Sequence, residues 1–437
     1  MPTESAYRSG SDAGDAGDGG APVTPRLRSG RAALAASFLL QGVTFALLVT
    51  CIPEIQDRYG LSDSLLPLFL AAVPVLAGVG SIASERLVRR TSARAVLRVV
   101  QPAVCATLAA AGLGDRLWQL ALALGAFGLL VGALDASMNM LGVGLQHRYG
   151  RSVMLGFHAA FSLGGIVGAA VAGLGAHVGL GLPVLFGTAA GVVAPLALLA
   201  GTRFAGPAEL GDAVREAAAA AARSIPWRPL LPLCLVMAFA YIADASVSNY
   251  SVKYLTDGLG SPEDVAKLSY LGYMVAMLLG RALGDRAVQR WGAVPVVRSG
   301  AALSALGFAL AAAAPAAWAG IAGFTVLGLG ICAIIPQVFA AGGRLFPADS
   351  DAAVARLNLF NYVGFLVGSP LVGALADASS YRWALLAPML LVLAVLPLAD
   401  RFAAPAASSP APAGPATGSP AGPATGPAVR DAVRGTP

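Results

Sequence analysis

Charge is scarce in this chain. Asp, Glu, Lys and Arg make up 12% of its 437 residues, against about 25% in an average soluble domain, which excludes an ordinary water-soluble globule. Lysine is nearly absent, with only Lys253 and Lys267, so the net charge of +6 rests on arginine. Those arginines are distributed between apolar runs, which argues against a nucleic-acid partner. Cys51, Cys105, Cys234 and Cys332 each fall inside an apolar run without paired spacing, as small buried hydrophobes do and a disulfide framework does not. The histidines, His147, His158 and His177, are scattered, with no His-Glu-x-x-His. No metal site and no cofactor are therefore expected. The chain lacks a Gly-x-Ser-x-Gly elbow and a Gly-rich phosphate loop with lysine, which counts against an enzyme and against an ATP-driven pump. Aromatic residues are 7% of the chain, too few to suggest a large greasy pocket.

What the chain has in abundance is apolar length. Runs near the roughly 20 residues that cross a bilayer fall at about 32–53, 64–84, 95–113, 117–143, 152–177 and 183–202. A second set falls at about 229–252, 266–284, 294–314, 318–341, 356–376 and 383–400. The expectation is an all-α polytopic membrane protein of twelve transmembrane helices in two six-helix bundles, residues 32–202 and 229–401. Residues 203–228 read as a polar cytoplasmic linker. Residues 1–31 have almost nothing to bury and 402–437 are an Ala/Pro/Gly/Ser/Thr tract, so both read as disordered tails. No short apolar stretch with a cleavage site follows the early charges, so no signal peptide is read. With a cytoplasmic N-terminus, five of the 29 basic residues (Arg58, Arg116, Lys253, Lys267 and Arg382) fall in outer loops and the rest fall in inner segments. That asymmetry puts both termini inside, in the inner membrane of a bacterium.

The second half also repeats the first at an offset of 200 residues. Glu85-Arg86 with Arg90 returns as Asp285-Arg286 with Arg290, and Arg98 as Arg298. Trp118 returns as Trp318, Gly128 as Gly328, and Gly164 and Gly168 as Gly364 and Gly368. Duplicated helical bundles are the architecture in which transporters build a solute site at the repeat interface.

Two loops carry a family likeness. Ser84-Glu85-Arg86-Leu87-Val88-Arg89-Arg90 and Gly284-Asp285-Arg286-Ala287-Val288-Gln289-Arg290 resemble the loop signature of the major facilitator superfamily, roughly Gly-x-x-x-Asp-Arg-x-Gly-Arg-Arg. Glu85 stands in place of Asp, and Val88 and Val288 in place of Gly. An acid at a helix end facing an arginine cluster can latch two helices in one state and release them in another. Glu85, Arg86, Arg90, Asp285, Arg286 and Arg290 are therefore the expected cytoplasmic gate. Over most of residues 38–395 the chain is similar to one bacterial inner-membrane group near the fucose-proton symporters. The likeness rests on Gly132-Ala133-Leu134-Asp135-Ala136-Ser137-Met138-Asn139, Phe157-His158-Ala159-Ala160-Phe161-Ser162-Leu163-Gly164-Gly165, Gly280-Arg281-Ala282-Leu283-Gly284-Asp285-Arg286 and Tyr362-Val363-Gly364-Phe365-Leu366-Val367-Gly368. It implies the fold and secondary transport. The group's Arg before Ile-Pro is Cys51 here, the next position is Glu54, and the group's acid in the seventh helix corresponds to Asp244. One basic group is lost and one acid gained, which tilts the expected cargo towards polar, neutral or cationic.

A carboxylate near mid-membrane costs about 2.5–3.5 kcal/mol on insertion scales, so it is rarely retained without use. Asp244 lies well inside the seventh run, with Ser248 one turn on, and is the first candidate for a proton or solute site. A structural hydrogen bond is its rival role. Asp135 and Asn139 share a face of the fourth helix, and His158 begins the fifth. Asp135 either relays a proton with His158 or joins the latch of Arg86 and Arg90. Glu54 either faces the outer vestibule or is solvated at a helix end. Gln41, Asn139, Asn249, Asn361 and Tyr362 are candidates for the polar lining. Gly164-x-x-x-Gly168 and Gly364-x-x-x-Gly368 read as close helix contacts. The expected function is proton-coupled export of a small polar metabolite or antibiotic, with proton-coupled uptake of a sugar-like solute as the alternative. The expected partners are the solute, protons and the lipid bilayer, with the monomer as the working unit.

Overall fold

The computed structural model describes residues 23–62, 65–210 and 225–403. Most of both expected tails and the middle of the linker lie outside the described residues. Twelve long helices follow one another: α1 Pro25–Thr50, α2 Leu66–Arg90, α3 Ala93–Leu113, α4 Leu117–Tyr149, α5 Met154–His177 and α6 Leu182–Arg203, then α7 Trp227–Gly258, α8 Glu263–Trp291, α9 Ala293–Ala312, α10 Ala317–Leu345, α11 Pro347–Ala378 and α12 Tyr381–Phe402. Eleven of them are long and apolar enough throughout to cross a membrane. The other, α8, carries Lys267, Arg281, Asp285, Arg286 and Arg290 along its length. Large apolar side chains such as Val99, Leu122, Leu199 and Leu279 stand exposed on the outer surface, as lipid contact requires.

Several helix ends differ from the apolar runs for local reasons. Helix α1 begins at Pro25 rather than near 32, because the Thr24 Oγ1 caps it by accepting from the Leu27 N–H and proline is suited to a first turn. Pro53 cannot continue α1, so the chain breaks at Cys51 and restarts as a short helix, Ile52–Tyr59, closed by Gly60 at φ 60°. Helix α4 runs on to Tyr149 and α8 to Trp291, beyond the runs that end near 143 and 284, because their last turns are polar but still helical. Helix α10 is interrupted between Ile331 and Ile334. Pro336 has no N–H to return to the Cys332 carbonyl four residues back, and the Arg281 Nε donates to that oxygen at 3.4 Å instead.

The sequence repeat is a repeat of contacts. A side chain added at Gly128 would strike the Val73 carbonyl, and one at Gly328 the Tyr273 carbonyl. Gly164 and Gly168 bring α5 against the backbone of α1 at Leu39 and Val43. Gly364 and Gly368 bring α11 against α7 at Ala238 and Ile242. Small residues at four-residue spacing let helix backbones meet, and dispersion then operates at short range. Arg98 ties α3 to the end of α6 through the Gly201 carbonyl at 2.7 Å, and Arg298 ties α9 to the end of α12 through Asp400 at 2.9 Å.

Candidate functional site

Two carboxylates lie within the helical bundles, and one of them joins the two. Asp135, half-buried on α4, accepts from the Gln41 amide of α1 and from the Tyr362 hydroxyl of α11. It therefore joins the two bundles, and among the described residues it forms no ion pair with Arg86 or Arg90, so the latch role expected for it is not the contact it makes. Asp244, half-buried on α7, accepts from the Tyr273 hydroxyl of α8 at 2.5 Å. Ser248 lies beside Tyr270 on the neighbouring turn.

His158 does not touch Asp135 directly. Its Nε2 lies 3.3 Å from the Asn139 Oδ1, and the Asn139 amide donates to the Asp135 carbonyl at 2.9 Å. Because that amide oxygen only accepts, the His158 Nε2 is the donor. The ring sits between Phe38 and Phe339, with centroids 5.5 and 6.1 Å away. A side-chain relay from Asp135 to His158 is thus interrupted by an amide that has no titrating proton.

The remaining lining candidates divide. Gln41 is buried, and its Oε1 has no hydrogen-bond partner. Asn361 donates to Asn358 at 3.4 Å, and Asn358 donates to Ser81 of α2 at 3.3 Å. Asn249 is exposed and reaches the Ser369 hydroxyl of α11 at 2.8 Å. Glu54 is exposed in the first turn of the short helix after α1 and is not brought to the two carboxylates.

Among the described residues, neither expected gate acid pairs with Arg86, Arg90, Arg286 or Arg290. Asp285 accepts from the Ser152 hydroxyl at 2.6 Å, the Gly156 N–H at 2.9 Å and the Leu155 N–H at 3.3 Å. It is an anion seated on the N-terminus of α5, where unpaired N–H groups and the helix dipole favour negative charge. Glu85 instead pairs with Arg89 one turn along its own helix. Arg86, Arg90, Arg286 and Arg290 are exposed, without an ion pair among the described residues. Long arginines at helix ends reach water more cheaply than they reach a shared acid. Ser81 donates to the Ala355 carbonyl at 3.0 Å and Gln289 to the Ser152 carbonyl at 2.8 Å. The bundles are thus fastened together at their arginine-rich ends.

One residue of the site was not picked out from sequence. Arg281 is 7% exposed on α8 and donates to the Ser162 hydroxyl of α5 at 2.6 Å. It also donates to the Cys332 carbonyl in the break of α10 at 3.4 Å. The available signal was an arginine one turn before Asp285 whose repeat counterpart is Ser81. Among the described residues no group of three or more His, Cys, Asp and Glu is arranged to hold a metal ion.

Twelve helices in two bundles with polar groups at their interface define a secondary-transporter fold. The Major Facilitator Superfamily family model matches residues 233–434. An uncharacterised MFS-type transporter of Yersinia pestis is 31% identical over 367 residues, covering 82% of this chain and 92% of the relative. The membrane protein MosC of Rhizobium meliloti is 25% identical over 376 residues, covering 84% and 89%. Among solved structures, the transporter FucP in its outward conformation superposes with a TM-score of 0.70 at 17% identity, over 85% of this chain and 98% of that one. The human organic anion transporter MFSD10 gives 0.70 at 16% identity, over 86% and 100%. This chain belongs to the major facilitator superfamily.

Proposed function

We propose that this protein is a proton-coupled secondary transporter of a small polar organic solute in a bacterial inner membrane, with its arginine-rich helix ends in the cytoplasm. The arginine asymmetry supports that orientation. The single observation that carries the coupling is Asp135, held at once by Gln41 on one bundle and Tyr362 on the other. Both donors favour the ionised carboxylate, and hydrogen bonds to a charged acceptor are roughly twice as strong as neutral ones. A proton on Asp135 therefore weakens the tie between bundles. Gln41 can meet either state, since its unpartnered Oε1 becomes the acceptor for a protonated carboxyl when the amide turns over.

In this reading the proton and the solute occupy the interface together and travel the same way, so we favour uptake by symport over the export that the sequence suggested. FucP of E. coli is a fucose:proton symporter, and the shared fold is compatible with that mode. The direct test is solute-driven proton movement in vesicles of known orientation carrying a pH-sensitive dye. Symport predicts that added solute brings protons in with it. Proton release in exchange for solute would restore the export reading, and no proton movement with any transported solute would end the coupling proposal.

A further inference from the structure

Arg281 is the anomaly of the site. A guanidinium removed from water costs several kcal/mol unless it is paired and hydrogen-bonded, and buried arginines are ordinarily paired with acids. Here the partners are neutral: the Ser162 hydroxyl at 2.6 Å and the Cys332 carbonyl at 3.4 Å. Asp244 is within reach of its charge but gives its oxygen to Tyr273 instead, and no carboxylate forms an ion pair with Arg281 among the described residues. The second terminal nitrogen, Nη2, has no partner among the described residues, and the side chain keeps 7% exposure.

Resting on the proton-coupled reading above, we propose that Arg281 receives the carboxylate of a small hydroxylated organic acid, which is carried together with the proton. The planar guanidinium fork matches a carboxylate in a way no neutral group does. When Asp244 holds a proton, the site has one negative charge fewer than with Asp244 ionised, and an incoming anion on Arg281 replaces it. The load of proton plus monoanion crosses the apolar zone without net charge, which is the least costly way to move an acid through it. Position supports the same reading. Ser162 belongs to one bundle and Arg281 and Cys332 to the other, so an anion on Arg281 sits where the bundles meet, as solutes do in such folds. The expectation of a polar, neutral or cationic cargo rested on one arginine lost and one acid gained at the first helix, and Arg281 supplies a positive charge from the eighth.

The experiment uses the purified full-length protein in detergent, with gluconate, glucuronate, quinate and glycerate as probes against sorbitol, glycerol and glucosamine. We expect at least one acid to raise the melting temperature in a saturable way, and the neutral and cationic probes to leave it unchanged. Arg281→Gln should abolish the shift. Arg281→Lys, which keeps the charge and loses the fork, should weaken apparent affinity by at least tenfold. Gly187→Leu, at a position with nothing within 4 Å of an added Cβ, should retain the shift and is the control for a folded variant. A shift by sorbitol or glucosamine alone, a gluconate-type shift that survives Arg281→Gln, or indifference to every acid would each overturn the proposal. Vesicle assays separate this from the coupling reading. Proton movement driven only by neutral or cationic solutes sinks the anion site and leaves symport standing. An acid that binds through Arg281 and is carried without protons does the reverse.

Discussion

The carboxylate of Asp135 on α4 accepts a hydrogen bond from the hydroxyl of Tyr362 on α11, 227 positions further along the chain. It is a tie between bundles whose strength depends on a proton. Asp135→Asn fixes the neutral state at nearly constant volume. Accumulation driven by a pH gradient should be lost in proteoliposomes, while downhill exchange of solute persists. Wild-type accumulation in this variant would remove Asp135 from the coupling step. Tyr362→Phe should cost about 1.5–3 kcal/mol of that contact, read as a shift towards the state in which the bundles part.

Asp244 and Tyr273 form a second carboxylate–hydroxyl pair, at 2.5 Å. Asp244→Asn is expected to abolish gradient-driven transport and to spare exchange, because the amide mimics the protonated acid. If Asp244 only fastens α7 to α8, Tyr273→Phe and Asp244→Asn will lower thermal stability equally and leave transport per folded molecule unchanged. Measuring both quantities on both variants decides between the roles.

Asp285 anchors the N-terminus of α5. Replacing it with Asn removes the charge while keeping the shape, and such a charge on a helix end contributes about 0.3–2 kcal/mol. Transport should fall, with membrane insertion intact, and labels on α5 and α8 should report wider separation at the arginine-rich ends. Unchanged rates and unchanged distances for Asp285→Asn would dismiss it as a gate residue.

Gly364 has no room for a side chain, since a Cβ there would lie 2.5 Å from the Ala238 carbonyl. Gly364→Leu should destabilise the second bundle by more than about 1–3 kcal/mol, the usual range for overpacking, because the obstruction is backbone. Gly187, with nothing within 4 Å, is the control, and Gly187→Leu should leave the melting temperature close to that of the parent.

Glu209 gives a pH signature outside the membrane helices. The Arg26 side chain, with help from the Gly206 N–H, holds its carboxyl below the usual range. The sign follows from linkage: a depressed folded pKa stabilises above the unfolded value, and that contribution disappears as pH falls through the folded one. Arg26 is 65% exposed, so screening limits the effect to about 0–1 kcal/mol. The stability difference between the parent and Glu209→Gln should therefore be small at neutral pH and vanish in acid.

The helices were legible because apolar length is written locally, and the bundle pairing because Gly128 and Gly328 occupy equivalent contacts. Asp135 and Asp244 were legible through the cost of burying them. Their partners were not, since no spacing links Asp135 to Tyr362. Arg281 escaped notice for a definite reason. The polar residues from Asp285 to Arg290 resemble a loop, which placed Arg281 near a helix end, whereas α8 continues through them to Trp291 and carries Arg281 nearly three turns inside. The partners of the gate acids were hidden in a related way: an acid beside arginines suggests ion pairs, but the open N-terminus of a facing helix competes for the same anion.

The two ends of the fastening are unlike, and this has a mechanical consequence. At one seam a full negative charge on α8 grips the start of α5. At the other, Glu85 faces Arg89 on its own helix, and Ser81 with Asn358 joins α2 to α11 through uncharged hydrogen bonds. The repeat therefore fastens its two seams by different chemistry, so taking the charge from one carboxylate, Asp285, loosens one seam and leaves the hydrogen bonds of the other as they were.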